Sequence, residues 1–234
     1  VASDAFDEHA AEYDAWFLQN RVVLANEVAL VARMLRPAGR VLSVGCGSGL
    51  FELLLRRDHG VAVEFGIEPS EAMAAIARKR GMQVRIGTAE GAEYGDAEYD
   101  TVLFNGTPSY IGDLEEAFRR ANRALRPGGA IVVVDVPKES SYALLYMLGA
   151  QLGGWNHPLL EGVKPASVYP MEFARAARWR TTAEKAALLE ATGFQRLSYA
   201  QTLTHHPLHS NEVPEEPVEG HTRGDYVAIR AVKP

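Results

Sequence analysis

A chain of 234 residues, 47% of them hydrophobic, is long enough for one sizeable core. The formal net charge of −6 argues against a phosphate-backbone binder, and no window combines dense Lys/Arg with interleaved aromatics. The single cysteine excludes an intramolecular disulfide and a multi-cysteine metal site. No apolar run approaches 20 residues and no signal-peptide pattern stands at the N-terminus, so the expectation is a soluble, cytoplasmic protein without a membrane partner.

In chain order, residues 5–18 read as an aromatic-rich amphipathic helix and 21–35 as a second helix, stopped by Pro37 and Gly39. Strands and helices then alternate. Strands are expected at 40–44, 61–67, 83–86, 99–104 and 130–136. Between them lie helices at 50–58, at 71–80 with Ser70 as cap, and at 114–125 with Asp113 as cap. Residues 139–177 break the rhythm with an apolar, helix-compatible stretch (142–152), then Gly153-Gly154-Trp155-Asn156-His157-Pro158 and an aromatic tail. A helix at 182–191, capped by Thr181 or Thr182, precedes two closing strands at 194–203 and 226–232. Between those strands runs a loop rich in Pro, Glu and His, either mobile or functional. The pattern predicts an α/β, doubly wound, mostly parallel seven-stranded sheet with an antiparallel C-terminal pair and an N-terminal helical lid. It divides as one domain, 1–234, with N-terminal helices at 1–36 and an insert at 137–180.

The segment Val41-Leu-Ser-Val-Gly-Cys-Gly-Ser-Gly49 carries the chemistry. A strand that turns through glycines into a helix lets a ligand approach bare backbone at a helix N-terminus. The spacing is G-x-G-x-G, which speaks against the G-x-G-x-x-G of nicotinamide-dependent oxidoreductases. Glu68 follows 19 residues after Gly49, at the end of the next apolar run, where a carboxylate can accept both hydroxyls of a ribose.

Six segments in order and spacing resemble the class I S-adenosylmethionine-dependent methyltransferases, and among them the small-molecule enzymes of the ubiquinone/menaquinone-biosynthesis type. They are Phe6-Asp7…Tyr13-Asp14…Trp16-Phe17, Val41 to Gly49, Gly66-Ile67-Glu68-Pro69-Ser70, Gly87-Thr88-Ala89-Glu90, Tyr99 to Phe104, and Leu125-Arg126-Pro127-Gly128-Gly129. The resemblance implies S-adenosylmethionine as cofactor, S-adenosylhomocysteine as its product and a small organic acceptor. It implies that Gly45, Cys46, Gly47 and Gly49 pass the methionine and ribose portion, with Glu68 and Pro69 at the ribose. Ala89 and Glu90 are then expected at the adenine, Asn105 near the methionine end and the reacting methyl, and Tyr13 closing over the cofactor. The family usually has an acidic residue where this chain has Ser43; serine can hydrogen-bond but cannot pair with an ammonium group.

Other residues invite a role. Cys46 as a nucleophile would need a base that the sequence does not identify. His205, His206 and His209 lie in the Pro-rich loop and are expected to be solvated or locally bonded, so no metal site is assigned. His157, in the insert after the fifth strand, is the candidate general base. The insert's aromatics, including Tyr142, Tyr146, Trp155, Tyr169, Phe173 and Trp179, form either the acceptor pocket or core packing. A cofactor-binding protein that transfers no methyl is the alternative reading. The oligomeric state is left open.

Overall fold

The central strands are short and apolar because both of their faces are covered. β1 (Val41–Val44) is buried throughout and pairs in parallel with β2 (Phe65–Glu68) on one side and β4 (Tyr99–Asn105) on the other. The computed structural model describes residues 10–234, and its sheet runs, in order, β3 (Gln83–Ile86), β2, β1, β4, β5 (Leu125–Asp135), β8 (Tyr226–Val232), β6 (Gln195–Thr202) and β7 (Val218–Glu219). β3 pairs with β2 in parallel, and β5 pairs likewise with β4. β8 then runs antiparallel to β5 and to β6. Strand order reverses between β1 and β4, so a crevice opens where their carboxyl ends diverge.

Seven strands were expected and eight are present among the described residues. The eighth, β7 (Val218–Glu219), pairs with Ala200 and Gln201 at the sheet edge. Two exposed residues in a Pro-rich loop are too few to show alternation. β2 starts at Phe65 rather than at residue 61, because β1 offers only Leu42, Ser43 and Val44 as partners. β5 starts at Leu125, within the expected helix-ending turn, because Leu125 pairs with Tyr99 and Gly129 accepts from the Lys233 amide.

Helices cover both faces. α1 (Ala10–Gln19), α2 (Arg21–Met34), α3 (Leu50–His59) and α4 (Glu71–Lys79) contribute to the core on one face. α5 (Leu114–Ala124) and α8 (Thr182–Ala191) pack on the other. Expected caps form at Ser70, which accepts from the Met73 amide, and at Asp113, which accepts from the Glu116 amide. Thr181, not Thr182, caps α8, in a reciprocal box with Glu184. The first expected helix is observed from Ala10; its residues 5–9, with Phe6 and Asp7, lie outside the described residues.

The insert folds as α6 (Ser141–Gln151) and a short α7 (Met171–Ala176), which the sequence did not reveal because six residues give no helical period. The loop after β6 is a strap across α2. Asn211 Oδ1 accepts the free amides of Val22 and Val23, and Asn26 accepts from the Glu215 amide while donating to the Val213 carbonyl. Tyr142 and Ser210 share a hydrogen bond of 2.5 Å that ties the strap to α6.

Candidate active site

The crevice between β1 and β4 widens into a cavity of about 750 Å³, within the range of about 300–1,000 Å³ usual for small-molecule sites. Tyr13, Gly45, Cys46, Gly47, Glu68, Pro69, Ala89, Glu90 and Asn105 line it together; Gly49 and His157 do not. Its lining comes from the glycine turn and the ends of β2 and β3, and from α1, α2 and the insert.

At the turn, the Gly45 and Cys46 amides donate to the Ile67 carbonyl, at 2.7 and 3.2 Å, which fixes the turn against β2. Gly47 has φ +54°, and a Cβ built on it meets no heavy atom within 4 Å, so bare backbone faces open space. Gly49 plays a different part from the one expected. It precedes α3, and a Cβ there would come within 2.8 Å of Met82 Sδ and 3.2 Å of Ala77. Its smallness lets α3 pack closely rather than admitting a ligand.

Glu68 is buried at the end of β2. Its Oε2 accepts from the Gly47 amide and its Oε1 from the Ser70 amide, both at 2.9 Å. A carboxylate offers about four acceptor sites, so this anchoring is compatible with receiving hydroxyl donors as well. An acid on α3 stands beside Ser43, at the strand position where the resemblance leads one to look for a carboxylate. Ser43 Oγ donates to Glu52 Oε1 at 2.7 Å, and Glu52 lines the cavity. Glu52 Oε2 is buried without a hydrogen-bond partner among the described residues. Burial raises Glu52 to about 7, the Ser43 hydrogen bond opposing that rise. An orphaned carboxylate oxygen, a second buried carboxylate and a bare backbone together suit a ligand with ammonium and hydroxyl groups.

Ala89 and Glu90 follow β3. The Ala89 carbonyl accepts from Tyr94 Oη at 2.7 Å, and Glu90 Oε1 accepts from the Gly112 amide at 2.9 Å, joining the loops after β3 and β4. The Cys46 thiol is held well above its usual range by burial, so it stays protonated and unsuited to nucleophilic attack.

α1 is fastened over the turn. Asp14 accepts from Ser48 Oγ at 2.5 Å and pairs with Arg80 at 2.6 Å, and Arg80 also reaches the Ser48 carbonyl. Tyr13 stands edge-on to Phe17 and to Tyr169, and Trp16 Nε1 donates to the Val168 carbonyl at 3.2 Å. The helix thereby bridges the turn and the insert.

Tyr13, Tyr142, Tyr146, Tyr169 and Tyr226 also line the cavity, as does Glu27. Tyr226 Oη donates to Asn105 Oδ1 at 2.9 Å. Trp155 backs this lining rather than forming it, its ring 4.9 Å from that of Tyr146. His157 is displaced from the role expected of it: Nδ1 accepts from the Leu159 amide at 3.2 Å, capping a short turn outside the cavity. His205 and His209 bond to Glu215 and Glu212, and His206 accepts from the Leu208 amide. Among the described residues no group of three metal-ligating side chains forms.

Glu27 and Glu52 escaped the sequence reading. The available signal was a charge on the apolar stripe of a helix, Glu27 among Val23, Leu24, Val28 and Val31, and Glu52 among Leu50, Phe51, Leu54 and Leu55.

Among known proteins, a family model described as a methyltransferase domain matches residues 17–199. A solved structure from Thermotoga maritima, described as a SAM-dependent methyltransferase and "possible histamine N-methyltransferase", is 32% identical with a TM-score of 0.80, covering 98% of each chain. An uncharacterised protein of Mycobacterium tuberculosis is 31% identical over 235 residues, spanning 99% of this chain and 74% of that protein. One from Methanocaldococcus jannaschii is 28% identical over 230 residues, spanning 98% and 99%. A family match over most of the length, and a whole-chain relative of the same architecture, make this chain a member of the class I S-adenosylmethionine-dependent methyltransferases.

Proposed function

We propose that the enzyme moves the methyl group of S-adenosylmethionine to a small organic acceptor enclosed between α1, α2 and the insert. The observation that carries this reading is one cavity with two kinds of lining, the glycine turn with Glu52 and Glu68 and a group of buried tyrosines. The bound cofactor supplies an activated methyl on a sulfonium, so the protein's task is to hold donor and acceptor in line and to exclude water.

In this reading Gly45, Cys46 and Gly47 pass the methionine and ribose portion along bare backbone. Glu68, with Pro69 beside it, receives the ribose hydroxyls, and Ala89 and Glu90 border the adenine. Asn105 stands near the reacting methyl, its carbonyl oxygen fixed by Tyr226. Tyr13 closes the site from α1. A lidded cavity favours a small acceptor, because a polymer would need an open groove. The test is methyl-labelled cofactor incubated with protein and either a small-metabolite extract or purified RNA and DNA. Label entering the small-molecule fraction is the expected result; label entering only nucleic acid, or none at all, overturns the reading.

A further inference from the structure

Among the described residues five carboxyl side chains line the cavity: Glu27, Glu52, Glu68, Glu90 and Asp135. Four are held by other groups of the protein. Glu52 accepts from Ser43, Glu68 and Glu90 from backbone amides, and Asp135 from Ser109 Oγ and the buried Lys185, at 2.8 and 3.3 Å. Glu27 is the exception. It is only 6% exposed, and no described residue gives it a hydrogen bond or an ion pair. A buried carboxyl without a partner costs stability, and a leucine at this place on α2 would not.

The surroundings of Glu27 state what would partner it. Tyr13 of α1, Tyr142 and Tyr146 of α6, Tyr169 of the insert and Tyr226 of β8 all line the same cavity, and each phenol feels the Glu27 charge. Burial keeps those phenols protonated, so their rings are neutral and electron-rich. Aromatic rings lining one cavity with a carboxyl group favour a desolvated cation there. Among the described residues that line the cavity Arg178 is the one cation, and Asp135 already has its own in Lys185. An anionic acceptor would have only that guanidinium to pair with. Tyr226, bonded to Asn105, joins this group of rings to the end of β4.

The geometry points to a small amine as the acceptor, bound as its ammonium, with Glu27 as counter-ion and as the base that takes its proton. This inference rests on the methyl-transfer reading above. The ammonium gives one proton to the Glu27 carboxylate and becomes a neutral amine. Its nitrogen lone pair forms the new N–C bond as the bond from methyl to sulfur breaks, and that bond's electron pair stays on sulfur. The methylated amine leaves as a cation, and Glu27 returns its proton to water. Burial sets Glu27 at about 8, a range suited to exchanging a proton with an amine near neutral pH. The groups facing it from other elements, the five tyrosines, remain neutral there, and Glu52 lies at about 7.

The experiment uses the full chain, methyl-labelled S-adenosylmethionine and three panels of small molecules. One holds primary and secondary amines (aryl-ethylamines, polyamines and amino alcohols), one carboxylic acids and one phenols. Calorimetry with S-adenosylhomocysteine runs in parallel. Label should enter the amine panel. In Glu27→Gln that transfer should fall at least a hundredfold while S-adenosylhomocysteine binds within threefold of wild type, and Glu27→Asp should recover part of it. The limb of the kcat/KM profile near pH 8 should vanish in the Gln variant. Label confined to acids or phenols, no label in the amines, or amine transfer unaffected in Glu27→Gln overturns the inference. The panel result on wild-type protein decides the acceptor class even if the variants fold poorly. Failure of wild-type protein to bind S-adenosylhomocysteine instead overturns the methyl-transfer reading beneath it.

Discussion

Ser43 Oγ donates to Glu52 Oε1 across 2.7 Å, so the strand residue that lacks a charge positions a helix residue that carries one. That acid, on α3, reaches the cavity and keeps its Oε2 without a partner among the described residues. Removing only the charge should weaken cofactor binding. Glu52→Gln should lose about 1.5–3 kcal/mol of S-adenosylhomocysteine affinity, the usual worth of a charged hydrogen bond. Adding Ser43→Asp to that variant should restore part of the loss. Calorimetry on the three proteins checks both steps, and equal affinities would remove Glu52 from the site.

Glu68→Ala should weaken the same ligand by about 1.5–3 kcal/mol per charged hydrogen bond lost. It should also lower the melting temperature without ligand, because the Gly47 and Ser70 amides lose their acceptor. A variant that melts earlier but binds normally would make Glu68 a scaffold of the turn alone.

Acidity should tune the ligand-free protein through Glu27 and Glu52, which burial raises from 4.5 to about 8 and about 7. Each holds a proton in the folded state that the unfolded chain releases above about pH 4.5. Their contribution is complete below that pH and is lost as pH rises to about 7 for Glu52 and about 8 for Glu27. Within the window each unit of pH removes about 1.4 kcal/mol per group. Melting curves from pH 5 to 9 on wild type, Glu27→Gln and Glu52→Gln give the comparison. The wild-type midpoint should fall more steeply than either variant's, and three parallel curves would contradict the assignment.

Deleting residues 1–18 should leave the sheet folded, as read by circular dichroism, and weaken S-adenosylhomocysteine binding. Such a chain loses Tyr13 from the cavity wall and Asp14 from its contacts with Ser48 and Arg80. Undiminished affinity would reduce α1 to a packing element.

The parts of this molecule legible in its sequence are those with a period or a fixed local chemistry. The alternation of β1 to β5 with α3 to α5, the caps at Ser70 and Asp113, and the glycine turn with Glu68 all belong there. What stayed hidden depends on partners distant in the chain. Glu27 reads as one polar residue in an apolar helix until β8 and α6 bring tyrosines around it. Glu52 acquires meaning only through Ser43. His157 and Trp155 stood out by composition, but the fold spends the first on a turn and sets the second behind Tyr146.

The strap after β6 reaches α2 through Asn26 and Glu215, 189 residues apart in sequence. It fastens the helix that carries Glu27 into the cavity. A change of length or sequence in that strap would tilt α2, and with it the carboxyl group, without altering any residue of the cavity wall. Acceptor preference could therefore drift among relatives through an outer surface loop, while the glycine turn, anchored on β1 and β2, stays as it is.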